Sequence, residues 1–375
     1  MPVGLYVHVP FCRSRCHFCA FYLQIHREDR AQAYLASLEH EIRLHATQDS
    51  LSGRRLETVY FGGGTPTTLS PEQLCGILAI IRGSFGLSER PEVTVEAHPD
   101  TVTNAGLERL VQAGFTRVSF GVQSLDDQEL VLIGRRTKGH AAGLAVKAAG
   151  LAGFADVSVD LIYGLPGQSR ESWSATLEEV LAWMPDHVSC YALTLEERSH
   201  LQLEVKRGDL ATPDPGLQNE LEDEAAHRLA AAGFARYEIS NYSRPGRACR
   251  HNLLYWHGRD YLGLGPSAQS YLAGVRFGNI SDLGLYHQAL EAGRLPISDV
   301  EHLTPEQRRR EAVMFGLRLV EGIDRQLFEA GNADPVWRQT LDQLTRQGLL
   351  EEQAEKIRLT EGGRRFADSV AIALL

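Results

Sequence analysis

Three cysteines lie within eight residues near the start of the chain, directly after a short apolar run. Cys12, Cys16 and Cys19 have the spacing C-x-x-x-C-x-x-C. A loop that carries three thiols this close together can wrap around one soft metal centre. On a four-iron cluster, three thiolates would leave one iron without a protein ligand, and an open position lets a substrate or cosubstrate bind the metal. The triplet therefore predicts a cluster with a chemical role.

Two other interpretations of the cysteines stay open on the residues alone. The triplet could hold zinc together with His17 or His8, although structural zinc sites usually take two ligand pairs separated by a longer gap. Buried cysteines without a metal are common, and they behave as small apolar core residues. That interpretation suits the remaining three cysteines, which are Cys75, Cys190 and Cys249.

Polar or glycine-rich residues follow the apolar runs further along the chain. A carboxylate, an amide and a guanidinium that converge could bind a ligand bearing ribose hydroxyls, a carboxylate and an ammonium group. An internal salt-bridge network, such as Glu96 with Arg135, is the alternative. The candidate binding residues are Glu96, Gln123, Arg135 and Asp160. The glycines of F-G-G-G-T-P would let the backbone approach a ligand closely, but an isolated triple glycine is more often a tight turn.

Strand-like runs alternate with helical periodicity over the first two thirds of the chain, which predicts an α/β fold with a parallel sheet. The predicted strands are Leu5–Val9, Thr58–Phe61, Glu92–Ala97, Arg117–Gly121, Val157–Ile162 and His187–Leu193. The predicted helices are Arg30–His45, Gln73–Arg82, Asn104–Ala113, His140–Gly150, Trp173–Trp183 and Gln218–Ala232. Because parallel barrels place chemistry at the carboxyl ends of their strands, the polar residues above favour a barrel-like curvature. An open doubly wound sheet fits the same pattern.

The last third of the chain divides into two parts. The stretch 237–278 is rich in Gly, Asn, Tyr and Trp and predicts an ordered but irregular loop region. After Pro296 the helical pattern returns, with a start signal at Thr304 and Pro305, and it ends in a predicted hairpin and last helix. These features indicate a winged-helix-like domain. The predicted boundaries are 1–235 for the barrel, 236–295 for the extension and 296–375 for the C-terminal domain.

Composition and charge exclude several classes of partner. The chain has 375 residues and a formal net charge of -10, so it offers no basic footprint for nucleic acid. From Glu301 to the end there are 11 Lys and Arg against 13 Asp and Glu, which argues against DNA binding by the winged-helix-like domain. No apolar run approaches the ~20 residues of a membrane span, and no targeting segment is visible. A cytoplasmic protein is expected, whose cysteines stay reduced.

The cysteine spacing, with the aromatic Phe18 before the last cysteine, resembles the signature of the radical S-adenosylmethionine (SAM) superfamily. The resemblance implies that the open iron of a [4Fe-4S] cluster chelates SAM and that a reductant supplies electrons to the cluster. It also sharpens the expected fold to an incomplete (β/α)6 TIM-like barrel followed by a small α-rich C-terminal domain. The implied SAM contacts are Tyr6, Phe18, Gly63, Gly64, Thr65, Glu96, Gln123, Arg135 and Asp160.

A longer series of motifs is similar to the family of oxygen-independent coproporphyrinogen III oxidase and its relatives. The motifs are G-V-Q-S-L, S-V-D-L-I-Y-G-L-P-G-Q and Y-E-I-S-N-Y-S-R-P-G. The oxidases usually carry a further cysteine two residues past the triplet, where this chain has Phe21, and an N-terminal extension. Their haem-chaperone relatives of the HemW type carry H-N-x-x-Y-W, which this chain has from His251 to Trp256.

The resemblance implies haem as a further ligand. His251 or Cys249 would supply an axial ligand, while Tyr255 and Trp256 would cover the porphyrin. In the alternative interpretation His251 fixes a loop and the aromatic residues are core. The chain departs from the family at Ala20, commonly Asp, and at Gln269, commonly His, which removes one contact on the haem side.

The sequence thus predicts a haem chaperone that binds a [4Fe-4S] cluster, SAM and haem and delivers haem to recipient haemoproteins, membrane-associated ones among the candidates. The second hypothesis is a radical SAM enzyme that acts on a porphyrinogen or another tetrapyrrole. The third is an interaction module stabilised by a metal and lacking SAM.

Overall fold

Six parallel strands form the centre of one large sheet. The computed structural model describes residues 2–374 apart from 52, 198, 213 and 330–334. The strands are β1 (Val3–Val9), β2 (Leu56–Gly63), β3 (Leu87–Ala97), β4 (Arg117–Gln123), β5 (Asp156–Tyr163) and β6 (His187–Ala192). Each pairs in parallel with the next, with Leu5 opposite Val59 and Val59 opposite Val93. All six predicted strands are confirmed.

Helices connect these strands and cover the outside of the sheet. They are α1 (Glu28–Thr47), α2 (Pro71–Phe85), α3 (Asn104–Ala113), α4 (Asp127–Leu132), α5 (Gly139–Ala152), α6 (Arg170–Ala182), α7 (His200–Arg207) and α8 (Pro215–Ala231). Single turns of 3-10 helix follow β2 and β3 at Pro66–Thr68 and Pro99–Thr101. The six predicted helices are confirmed, and Asn104–Ala113 agrees at both ends. The short helices α4 and α7 were not predicted, because so few residues show no clear period.

The predicted irregular region is instead built of short strands that extend the sheet on both sides, so that prediction was wrong. The strands are β7 (Ala235–Arg236), β8 (Asn241–Ser243), β9 (Asp260–Leu264), β10 (Gln269–Leu272), β11 (Val275–Asn279) and β12 (Ile297–His302). Helices α9 (Arg250–Trp256) and α10 (Leu283–Glu291) lie between them. Strands of two to six residues are too short for alternation to show in the sequence.

The sheet stays open and is not closed into a full barrel. Its strand order is β12-β11-β10-β9-β1-β2-β3-β4-β5-β6-β8-β7. Strand β9 pairs in parallel with β1, whereas β8 pairs antiparallel with β6. Apolar side chains of the central strands, for example Leu5, Val59 and Phe120, are fully buried because helices cover the sheet. The predicted open barrel of α/β type is confirmed.

The C-terminal domain has the element order of a winged helix. Its helices are α11 (Pro305–Gly316), α12 (Arg325–Glu329), α13 (Pro335–Arg346), α14 (Glu361–Arg364) and α15 (Ala367–Ala373). Its three-stranded sheet contains β13 (Ile323–Asp324), β14 (Leu350–Gln353) and β15 (Lys356–Leu359). The predicted start at Thr304 is confirmed, since its hydroxyl accepts the Gln307 amide in a capping box. The domain has its own apolar core around Phe328, Trp337 and Leu341.

Strand β12 bears on the predicted division of the chain. It lies in the part predicted as the C-terminal domain, yet it pairs with β11 of the large sheet. The three domain boundaries themselves stay a prediction. Within the described residues, no helix is long and apolar enough to cross a membrane.

Candidate cofactor site and cavity at the barrel mouth

The loop that carries the three cysteines leaves the carboxyl end of β1. A short parallel pair of Phe11–Cys12 with Gln24–Ile25 closes the loop at its two ends. The Cys19 amide donates to the Cys16 carbonyl at 3.2 Å, and none of the three cysteines forms a disulfide. The pKa of the Cys12 thiol is raised to about 11, mainly by burial; the Thr65 hydrogen bond opposes the rise, and the nearby thiols of Cys19 and Cys16 add to it. The loop therefore brings the three thiols close enough for each to affect the pKa of a neighbour.

The three thiols are not spaced as the ligands of a single zinc ion would be. Thiolates on one tetrahedral zinc lie about 3.8 Å apart, given a Zn–S distance of ~2.3 Å. Within the described part of the chain, the cysteine sulfurs do not all lie within 4.8 Å of one another. At least one pair of these sulfurs is therefore further apart than ligands of one tetrahedral zinc ion would be.

The two histidines proposed as a fourth zinc ligand have other partners. His17 Nδ1 lies 2.9 Å from the Leu132 carbonyl, and the His17 ring packs against the His200 ring. His8 Nε2 donates a hydrogen bond to the Tyr22 carbonyl, and His8 Nδ1 accepts one from the Tyr6 hydroxyl. The contacts of His8 and His17 therefore give no support to a Cys3His zinc site.

The glycine-rich segment after β2 packs directly against the cysteine loop. A Cβ on Gly64 would lie 2.6 Å from the Phe11 carbonyl oxygen, and one on Gly63, with φ +108°, would lie 2.7 Å from the His8 ring. The Thr65 amide donates to the Phe11 carbonyl at 2.7 Å, and the Thr65 hydroxyl lies 3.4 Å from Cys12 Sγ. These glycines thus allow an approach of two backbones that a side chain would block.

Glu96 ends β3 and points toward the same mouth. Its Oε1 accepts a hydrogen bond from the Tyr60 hydroxyl at 2.8 Å. Burial raises the pKa of Glu96 to about 7, the negative charge of Asp160 raises it too, and the Tyr60 hydrogen bond opposes the rise. A buried carboxyl near neutrality can bind a polar ligand group in either protonation state.

Gln123 ends β4, and Arg135, in the loop after α4, reaches back to that strand. Gln123 has φ +72°, a left-handed conformation that L-residues adopt at a cost, and it follows a register shift between β4 and β5. Arg135 donates to the Gly121 carbonyl, while its buried Nε has no partner within the described structure. The Glu96–Arg135 ion pair considered from the sequence is not formed, so the guanidinium still has donors to offer a ligand.

Asp160 lies inside the barrel on β5. Its two carboxylate oxygens accept hydrogen bonds from Ser119 at 2.9 Å and from Ser189 at 2.7 Å. Burial raises the pKa of Asp160, and the two serine hydrogen bonds oppose that rise. The serines on the neighbouring strands therefore fix the direction of this carboxylate.

The two aromatic residues predicted near SAM differ in position. Tyr6 lies on β1, stacks on Tyr60 with ring centroids 6.2 Å apart, and lines the mouth. Phe18 packs instead against a separate apolar cluster, which includes Leu130, Ile133 and Leu201. Phe18 therefore holds the cysteine loop against its surroundings.

A cavity of about 770 Å³ opens between the barrel mouth, the extension and α11. Known ligand sites have volumes of ~300–1,000 Å³. The barrel supplies Tyr6, His8, Gly63 and Glu96 to its wall, and the cysteine loop supplies Phe21 and Tyr22. The extension and α11 supply Tyr255, Trp256, Arg259, Tyr261, Gln269, Tyr271, Arg308, Met314 and Phe315. A second hollow of about 670 Å³, between α8 and α14, contains none of the predicted site residues.

The structure separates the four residues predicted to contact haem. Tyr255 and Trp256 line the cavity, and Trp256 Nε1 is buried without a partner in the described structure. His251 is 1% exposed, with Nδ1 at 2.7 Å from the Thr58 hydroxyl and Nε2 at 2.8 Å from the Tyr255 hydroxyl. Burial lowers the pKa of His251 to about 3. Both of its ring nitrogens are therefore used within the protein.

Cys249 lies behind the cavity wall with His251. Its thiol donates to Glu92 Oε1 at 3.6 Å, and burial raises its pKa, with the charge of Glu92 adding to the rise. The Glu92 carboxylate also accepts the amides of Arg250 and His251, both at 2.9 Å. Glu92 thus satisfies the amino end of α9, where a negative charge is favourable.

Two family models and several relatives match the chain. The radical SAM superfamily matches residues 6–180, and the HemN C-terminal domain matches residues 303–366. The heme chaperone HemW of Mycobacterium tuberculosis is 36% identical over 381 residues, which cover 100% of this chain and 95% of the relative. That of Bacillus subtilis is 31% identical over 374 residues, covering 99% and 98%. The chain belongs to the HemW family of the radical SAM superfamily.

The chain is also similar to a mitochondrial protein and to a protein of known structure. Radical S-adenosyl methionine domain-containing protein 1, mitochondrial, of Bos taurus is 34% identical over 393 residues, covering 99% of this chain and 87% of the relative. Coproporphyrinogen III oxidase (HemN) from Escherichia coli is 26% identical with a TM-score of 0.87, covering 100% and 90% of the two chains. The expected likeness to this group of proteins is confirmed.

Sequence reasoning missed several residues of the site. Tyr60, which positions Glu96, and Glu92, which caps α9, look like ordinary strand residues in the sequence. Arg308 and Phe315 reach the cavity from a helix some 300 residues after β1. Gln269, noted as a departure from the family, does line the cavity. Of these, only Tyr60 could have been found from the sequence. It lies two residues before Gly62 of the glycine-rich segment, and residues two apart on a strand face the same side of the sheet.

Proposed function

We propose that this chain is a haem chaperone that holds a [4Fe-4S] cluster and SAM at the barrel mouth, binds haem in the adjoining cavity, and delivers it to recipient haemoproteins. One observation carries the proposal. The 770 Å³ cavity joins residues of the SAM side, Tyr6, Gly63 and Glu96, to the aromatic residues of the extension and α11. Relatives that share the full length of the chain are named heme chaperone HemW.

The barrel residues support the cluster and SAM part of the proposal. Cys12, Cys16 and Cys19 would bind three irons, and the open iron would take the amino and carboxylate groups of SAM. A bound cluster supplies one-electron chemistry when reduced. The chain's own residues would orient the ligand: the buried Arg135 guanidinium has Nε to donate, and Glu96 can accept from hydroxyl or ammonium groups.

The cavity has the chemistry that haem requires. A porphyrin has a broad apolar face and two carboxylates on one edge. Tyr255, Trp256 and Phe315 offer aromatic surface to the face. Arg276 is paired with Glu301 and Glu311, whereas neither Arg259 nor Arg308 pairs with a carboxylate of the described residues. These two guanidinium groups can therefore bind the haem carboxylates.

In this proposal the H-N-x-x-Y-W motif contributes to haem binding mainly through its last two residues. His251 and Cys249 are buried and satisfied, so they hold α9 in place behind the cavity. Iron ligation by His251 would require one of its ring nitrogens to give up its hydrogen bond to Thr58 or to Tyr255. The motif thus supports Tyr255 and Trp256, which face the ligand.

Titration of the anaerobically reconstituted full chain with haem, followed by the Soret absorption, tests the proposal. Wild type should bind haem saturably, and Arg308→Ala and Arg259→Ala should each weaken the binding about tenfold or more, because a charge-assisted hydrogen bond is worth ~1.5–3 kcal/mol. Arg294→Ala, an exposed arginine on another part of the surface, is the matched control. Absence of saturable binding, or equal losses in all three variants, would refute the proposed haem site.

A second candidate function is oxidation of a porphyrinogen. It is favoured by the full-length likeness to coproporphyrinogen III oxidase, at a TM-score of 0.87. Phe21, at the position of the oxidases' further cysteine, stands against it, since it is 70% exposed and lines the cavity. Anaerobic incubation with reductant, SAM and coproporphyrinogen III decides: formation of protoporphyrinogen IX would establish the enzyme, and its absence together with haem binding supports the chaperone.

A further inference from the structure

A histidine inside the cysteine triplet is held between the end of α4 and the start of α7. His17 lies between Cys16 and Phe18, and two backbone hydrogen bonds fix it. Its amide donates to the Ile133 carbonyl at 2.9 Å, and its carbonyl accepts the Leu201 amide at 2.9 Å. These bonds bring the first turn of α7 against the cysteine loop. Gly134 leaves the room for this contact, because a Cβ there would lie 2.6 Å from the His17 ring.

Two further side chains of α7 converge on the His17 ring. His200 and Glu204 are four residues apart, so they share one face of the helix. His200 Nδ1 lies 3.3 Å from Glu204 Oε2, and the His17 and His200 ring centroids are 4.3 Å apart. One ligand atom from each of the three residues lies within 4.8 Å of the others. No other trio of histidine, cysteine or acidic residues in the described ranges does so.

The hydrogen bond of His17 fixes which of its nitrogens can bind a metal. Nδ1 lies 2.9 Å from the Leu132 carbonyl oxygen. A carbonyl can only accept, so Nδ1 carries the proton and Nε2 keeps its lone pair in the neutral ring. Metal-binding histidines characteristically donate their other N–H to a carbonyl or carboxylate, which fixes the tautomer and the orientation of the ring. His17 therefore has the outer contact that a metal ligand has.

We propose that His17, His200 and Glu204 form a second metal site, separate from the cysteine cluster, for a divalent cation of the zinc class. Two imidazoles and one carboxylate are a common zinc set, whereas magnesium and calcium prefer oxygen ligands. The fourth position faces solvent, since the His200 side chain is 51% exposed, and it takes a water. The 4.8 Å span closes to ligand distances by rotation of the exposed His200 side chain and the half-buried Glu204 side chain.

The alternative is an exposed His200–Glu204 ion pair that happens to touch His17. Such a pair contributes only ~0.2–1 kcal/mol and binds no metal. The two explanations differ in stoichiometry: the proposed site takes one zinc per chain in addition to the iron on the cysteines. They also differ in effect, because a bound metal ties the residue between Cys16 and Phe18 to α7.

Zinc titration of the reconstituted full chain tests the site. A chromophoric chelator that competes for zinc reports the zinc affinity, and the iron content per chain is measured in parallel. Wild type should take up one zinc with no loss of iron. His200→Ala and Glu204→Gln should each weaken zinc binding at least tenfold. His140→Ala is the matched control, since His140 is an exposed histidine at the start of α5. Zinc binding that is equal in wild type, His200→Ala and Glu204→Gln, or absent from wild type, overturns the proposal.

A second measurement needs no substitution. Diethyl pyrocarbonate labels accessible histidines, and mass spectrometry locates the label. Zinc should protect His200 at least fivefold while His140 stays labelled, whereas equal labelling with and without zinc overturns the site. Neither readout depends on haem or SAM, so failure here leaves the proposed chaperone function unaffected.

Discussion

Replacement of Gly64 by alanine tests how the glycine-rich segment supports the cysteine loop. The new Cβ would lie 2.6 Å from the Phe11 carbonyl oxygen, and 3.0 Å from both the carbon and the nitrogen of Phe11. Ordinary contacts begin near 3.4 Å, so the carbonyl must move by about 0.8 Å (3.4 minus 2.6). That carbonyl accepts the Thr65 amide at 2.7 Å and directly precedes Cys12.

The expected loss of stability follows from these contacts. Overpacking costs ~1–3 kcal/mol and a lost backbone hydrogen bond ~0.5–1.5 kcal/mol, so the free energy of unfolding should fall by about 2–4 kcal/mol. Displacement of Phe11 also moves the Cys12 sulfur, so iron binding should fall well below the roughly four iron per chain of a full cluster. Urea unfolding, together with iron and sulfide analysis after anaerobic reconstitution, measures both quantities.

Gly76→Ala is the matched control, because a Cβ on this exposed glycine of α2 has no atom within 4 Å. It should stabilise the helix by up to ~1 kcal/mol and leave iron binding unchanged. If Gly64→Ala unfolds at the wild-type urea concentration and loads the full cluster, the proposed support of the loop by Gly64 is wrong. Zinc in place of iron in the wild type would contradict the cluster assignment itself.

Three further substitutions probe separate parts of the account. Burial raises the pKa of Glu41 from 4.5 to about 7, so the folded state holds the extra proton and stability from this group is lost as pH rises. Glutamine carries no titrating proton, so the free energy of unfolding of Glu41→Gln, measured in urea, should rise relative to that of the wild type by up to about 3 kcal/mol between pH 4.5 and 7. A difference that does not change with pH would contradict this. His251→Ala should lower the free energy of unfolding by about 3 kcal/mol and leave the Soret maximum of bound haem unchanged, since the ring packs inside; a spectral change would instead make it an axial ligand. Gln123→Gly should raise stability by about 1 kcal/mol by relieving its φ of +72° and should weaken SAM binding, whereas Met184→Gly, at φ +57° on the surface, should only stabilise; unchanged SAM affinity in Gln123→Gly would remove Gln123 from the site.

The barrel could be predicted from the sequence because short apolar or β-branched runs alternate with segments of helical periodicity. Strands such as β1 and β5 are buried on both faces, and helices with caps such as Ser70 separate them. In a parallel sheet the carboxyl ends of the strands lie at one edge, so polar residues at these ends are expected at one mouth. Glu96 and Asp160 could therefore be predicted to lie near each other, and the negative charge of Asp160 does raise the pKa of Glu96.

The cavity and the role of the H-N-x-x-Y-W motif could not be predicted in this way. The cavity wall combines β1, the short strands of the extension and α11, and no local pattern says that α11 packs over the barrel mouth. In the sequence, His251 and Trp256 are both aromatic residues of one motif, and nothing there indicates which of them faces a ligand. Only the fold shows that Thr58 and Tyr255 occupy both nitrogens of His251 while Trp256 faces the cavity.

The most direct test of the central claim is a crystal structure of the reconstituted chain with haem bound. The account predicts that the porphyrin lies in the cavity against Trp256 and Phe315, with its carboxylates toward Arg259 and Arg308 and with the hydrogen bonds of His251 intact. Haem bound elsewhere, with this cavity empty, would contradict the claim that haem binds beside the barrel mouth.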